Sequence, residues 1–108
     1  MIVATNDRIP NREVAECLGL VRGNTIRARH AGRDILAMLR NVVGGEISDY
    51  TKLMGEAREQ AIDRMLEEAE ALGADAVIEV RFETSQVMGA AAELLCYGTA
   101  VRLDEPAG

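Results

Sequence analysis

Apolar side chains recur every three or four residues between positions 50 and 72. Tyr50, Leu53, Met54, Ala57, Ala61, Met65, Ala69 and Leu72 fall on one stripe, the pattern of an amphipathic helix. Ser48 or Asp49 suits its start as a cap, and Gly73 suits a left-handed stop. Glu59–Asp63 and Asp63–Glu67 are like-charge neighbours one turn apart, which marks the opposite face as solvated. A shorter helical pattern, Ile35, Leu36, Leu39, Val42 and Val43, spans residues 33–43. Gly44-Gly45 then reads as a helix stop between two consecutive helices. A phosphate-cradling loop is disfavoured there, because Glu46 and Asp49 follow and no lysine is present.

The rest of the pattern has a period of two. "MIVAT" predicts a short N-terminal strand and "NDRIPN" a turn. Over 13–29, Val14, Leu18 and Leu20 alternate with Ala15, Cys17, Gly19, Val21 and Gly23. Two glycines on one face predict a bulge or a close backbone approach. "RGNT" within this run fits a turn as well as a continuous bent strand. Ala76, Ile78, Val80 and Phe82 alternate with Glu79, Arg81 and Glu83, a half-buried strand. The last run is apolar on both faces: Leu95, Tyr97, Thr99, Val101 and Leu103 against Leu94, Cys96, Gly98 and Ala100. The order predicts an α+β fold: an antiparallel three-stranded sheet with two consecutive helices inserted after the first long strand, and an extra short N-terminal strand. One helix layer leaves the second face of the last strand bare, so another subunit is expected to cover it.

Composition narrows the function. The chain has 108 residues and a formal net charge of -6, so one domain over 1–108 is expected. The acidic balance argues against general nucleic-acid binding and against adhesion to anionic membranes. "MIVATNDRIP" lacks the basic start and apolar run of a secretory signal, and a cytoplasmic protein is expected. With no Trp, two Tyr and one Phe, little aromatic surface is left for stacking flat cofactors.

The candidate chemistry is sparse. Cys17, Cys96 and His30 are soft or borderline donors suited to a soft or transition metal ion, with Met88 as a further thioether. None has the tight local spacing of a zinc motif. Both cysteines lie within apolar strand pattern, where a free cysteine usually packs as a small hydrophobe. Arg22, Arg27, Arg29 and Arg33 form a local cation cluster. It fits a small anionic ligand near a helix start, or ion pairs with acidic side chains. His30 has no nucleophile near it in sequence, and carboxylate pairs such as Glu79 and Glu83 read as solvent-facing charges. An enzyme is not expected.

"RDILAMLRNVVGG", "ALGADAVIEVRFETS" and "YGTAV", in this order and spacing, resemble the recurrent blocks of the YbjQ-like family. These are small proteins of unassigned function described as a "putative heavy-metal-binding domain". The resemblance covers residues 2–103. It implies a dodecin-like fold, a homopentameric ring aided by extra short strands, and a metal ion as ligand. It carries no agreed ligand set to place on these residues. An anion-binding ring and a purely structural oligomer are the alternatives. The chain departs from the family at Glu46-Ile47, where relatives commonly have Arg-Ser, and at Glu79, where they often have Gly.

Overall fold

The structure, a computed structural model, describes residues 1–27, 48–87 and 91–105. In chain order these form β1 (Ile2–Val3), β2 (Val14–Arg27), helix α1 (Ser48–Ala71), β3 (Ala76–Val87) and β4 (Ala91–Leu103). The strands make one sheet in the order β1-β3-β4-β2. β4 is antiparallel to both β2 and β3, and β1 runs parallel to β3. This corrects the expected antiparallel three-stranded sheet with two helices. The sheet is four-stranded and mixed, and the described residues hold one helix. The helix expected over 33–43, with Gly44-Gly45 and Glu46-Ile47, lies outside the described residues. The mixed sheet comes from a long-range pairing of the N-terminal segment. The N-terminal segment turns back along the outer edge of β3, where Ala4 N–H donates to Val77 O (2.9 Å) and Glu79 N–H to Asn6 O (2.8 Å).

α1 follows its sequence pattern. Ala57, Ala61, Met65 and Ala69 are buried against the sheet, and Leu72 is exposed because it lies past the last turn. The end is a Schellman stop. Gly73 has φ 77, and its N–H donates to Glu70 O while Ala74 N–H reaches back to Ala69 O. The helix packs closest to β2 at Gly23, where a Cβ would collide with Ala61 O and Met65 N. β2 is a single strand through "RGNT", which settles the turn-or-strand alternative.

Three bulges change which residues share a face. Register shifts fall between Val14 and Glu16 and between Cys17 and Gly19 on β2, and between Ile78 and Arg81 on β3. An extra residue moves everything beyond it to the other face. Leu18 therefore packs with the helix-side core of Val21, Met65, Val77, Val80, Cys96 and Ala100, while Leu20 is 63% exposed. On β3, Ala76 and Ile78 join Ile9, Val101 and Leu103 in a second cluster, and Val80 joins the helix-side core. The expected single stripes Val14–Leu18–Leu20 and Ala76–Ile78–Val80–Phe82 are both broken at a bulge. The second face of β4 takes part of its cover from its own chain, since Ile9 and Ala4 close over Val101 and Leu103. Ile9 reaches there from a tight turn whose Asn11 has φ 64 and whose Arg12 N–H donates to Ile9 O (3.2 Å). No helix among the described residues is long and apolar enough to cross a membrane.

Candidate functional site

The two cysteines have opposite environments. Cys96 sits on the helix face of β4 with no exposed surface. Burial pushes its thiol pKa up, because an apolar core disfavours the thiolate. Its thiol donates to the Met65 thioether, Sγ to Sδ 3.5 Å, and Met65 is also fully buried. Cys17 is exposed. That overturns the expectation that both thiols pack in the core, and the face each occupies explains it. Cys17 stands opposite Val101, which belongs to the cluster on the sheet face away from α1, whereas the adjacent Leu18 packs on the helix side. On an antiparallel pair, opposed residues share a face, so α1 gives Cys17 no cover.

One chain does not bring the cysteines together. Cys17 pairs in register with Val101, and Cys96 with Gly23. The five-residue step from 96 to 101 along β4 is about 17 Å. Among the described residues no three His, Cys, Asp or Glu side chains gather into a cation site. His30 and Met88 lie outside the described residues, as do Arg29, Arg33 and the side chain of Arg27. Of the arginine candidates, Arg22 is described. It is exposed, and its backbone N–H donates to Glu68 Oε1 (3.2 Å). An open groove of about 650 Å³ lies between residues 7–14 and Asp104–Glu105, and none of the described candidate residues lines it.

Sequence reasoning missed Met65 as the partner of Cys96. Met65 was legible as an inward helix position, and Cys96 as one face of the last strand. Their pairing depends on the level at which α1 crosses the sheet, and Gly23, opposite Cys96, is the residue that allows that close crossing.

The outer sheet face carries a polar rung across three strands. The Glu93 carboxylate accepts from Asn24 Nδ2 (2.9 Å) and Ser85 Oγ (3.4 Å), and Tyr97 OH donates to Glu83 Oε1 (3.5 Å). These bonds join β2, β4 and β3 side by side, and apolar Leu20 and Ile26 stand exposed next to them.

Comparison with known proteins gives a consistent result. A family model described as "Putative heavy-metal-binding" matches residues 1–104. A UPF0145 protein of Archaeoglobus fulgidus is 61% identical over 103 residues, covering 95% of each chain. A UPF0145 protein of Methanosarcina acetivorans is 57% identical, covering 95% of this chain and 97% of its own. Among solved structures, a protein of unknown function of the DUF74 family from Pediococcus pentosaceus superposes with a TM-score of 0.66 at 18% identity. It covers 96% of this chain and 98% of its own, and at that identity the likeness is one of fold.

Proposed function

The chain belongs to the YbjQ family, and from that membership we propose that it works as a non-catalytic homo-oligomer that binds a soft metal ion through cysteine sulfur. The observation that carries the oligomer is the sheet with two open edges. β2 is a terminal strand of the sheet. α1 screens it at residues 22–25 through Glu68, Arg64 and Ala57, and among the described residues no strand pairs with its outer backbone edge. On the opposite side, the N-terminal segment bonds to β3 as far as Val80, and among the described residues nothing pairs with β3 beyond it. Bare edges flanked by exposed Val14, Leu20 and Phe82 are surfaces that a second copy covers well.

The metal part rests on the family's description, together with the two thiols. These stand too far apart in one chain to share an ion. Native mass spectrometry and light scattering, before and after titration with Zn(II), Cd(II) or Cu(I), test both parts. The expected result is a multiple of the chain mass, a pentamer by the family resemblance, holding one ion per chain. A monomer at micromolar concentration overturns the oligomer. Binding no greater than that of the Cys17→Ser/Cys96→Ala double variant overturns the metal reading. A retained organic anion in its place favours the Arg22–Arg33 segment as the ligand site.

A further inference from the structure

Cys96 and Met65 bring a thiol and a thioether together inside the core, 3.5 Å apart and both fully buried. We propose that this sulfur pair, bridging α1 and β4, is a buried site for a monovalent soft ion, Cu(I) or Ag(I). The inference rests on the metal reading above and assigns it to one sulfur pair and one ionic charge.

Three observations converge on it. The first is donor chemistry: thiolate and thioether are the ligands that select Cu(I). The second is spacing. Metal–sulfur bonds of about 2.3 Å put two sulfurs about 3.8 Å apart at a tetrahedral angle and about 4.6 Å apart in a straight line. The pair needs to open by about 1 Å or less, and the unbranched Met65 side chain has the rotors to do so.

The third is charge balance. On binding, the Cys96 thiol releases its proton to solvent, and the thiolate and a monovalent ion together are neutral. A neutral complex can stay in a core of Val21, Ala61, Val77, Val80 and Ala100 without the penalty for a buried net charge. A divalent ion at the same place keeps one uncompensated positive charge. No cluster of further carboxylate, imidazole or thiolate ligands stands among the described residues to neutralise it. The bound ion ties the helix to the sheet, so it binds the folded chain and stabilises it. Entry requires α1 to lift from the sheet, so uptake is slower than at the exposed Cys17.

The test is an anaerobic Cu(I) titration against a chromogenic Cu(I) chelator, using the wild type, Cys17→Ser, Cys96→Ala and Met65→Leu, with folding checked by circular dichroism. The wild type and Cys17→Ser are expected to hold one Cu(I) per chain and to melt at higher temperature when loaded. Met65→Leu, close in volume, is expected to bind at least tenfold more weakly, and Cys96→Ala not at all. If Cys17→Ser loses the ion and Cys96→Ala keeps it, the buried pair is overturned while the metal reading stands. If no variant binds Cu(I) but Zn(II) or Cd(II) binds, the same split holds. Should Cys96→Ala fail to fold, Met65→Leu decides alone: unchanged affinity overturns the proposal.

Discussion

Glu79 holds a backbone angle, φ 54, that a side chain with a Cβ adopts at a cost. It does so because the β3 bulge needs an extra residue there and the Glu79 N–H is anchored on Asn6 O. Glu79→Gly is therefore expected to stabilise the fold by about 0.5–1 kcal/mol, the relief of strain outweighing the added freedom of the unfolded chain. A rise in the urea midpoint checks it. The thiols make a second residue-scale prediction. A thiol reagent such as dithionitrobenzoate is expected to titrate one cysteine per native chain, Cys17, and both after unfolding. Cys17→Ser should abolish the fast native reaction. Because burial raises the folded pKa of Cys96, the unfolded chain loses that proton first as pH climbs. The stability linked to this thiol is thus present below about pH 8.5 and falls above it. The buried state of Cys96 was legible in its apolar strand. The exposure of Cys17 was not, because the bulges in β2 decide which face it takes, and it lies opposite Val101 on the face away from α1.

At the scale of elements, α1 was readable from Ala57 to its glycine stop; the side chains of Tyr50 and Leu53 lie outside the described residues. Its 3.6-residue stripe and its glycine stop are local signals, and each is reproduced in the buried Ala57–Ala69 face and the Gly73 turn. The strands were readable as strands but not by face. Period-two counting assumes that no residue is inserted, and β2 inserts two and β3 one. Gly19, with φ 119, hinted at the bulge beside it, whereas Glu79 gave no hint from residue type. The two glycines of β2 were expected to mark a bulge or a close approach, and the chain uses one for each. Gly19 accompanies the bulge, and Gly23 admits the helix backbone. Gly23→Ala is accordingly expected to force α1 away from the sheet and to destabilise the fold by roughly 3 kcal/mol or more. Gly55→Ala, where a Cβ meets nothing within 4 Å, should be neutral or mildly stabilising, since alanine is the better helix former. Denaturation of the two variants side by side separates a steric effect at the helix–sheet contact from a general intolerance of alanine.

At the scale of the whole molecule, the parallel pairing of β1 was illegible because it joins residues more than seventy positions apart, Ile2 with Ala76, through bonds that no sequence period encodes. The doubly apolar character of the last strand was legible, and Ile9 and Ala4 from the same chain supply part of its cover. Shape adds an independent argument. The radius of gyration is 17.5 Å and the body measures 57 × 29 × 17 Å, whereas a compact domain of this length has a radius of about 13 Å. An elongated slab buries less apolar surface per residue than a sphere, so association has more to gain here than in a compact chain. Leu20 lies where these features meet, on a bare edge strand, beside the polar rung, and 63% exposed. It touches little in its own chain, so Leu20→Lys should leave the isolated subunit's fold intact. A lysine on an edge strand opposes the approach of another sheet. The variant is expected to elute at lower mass than the wild type and to recover the wild-type mass only at higher protein concentration. Unchanged mass across a hundredfold dilution would place the contact between copies elsewhere than on the β2 edge.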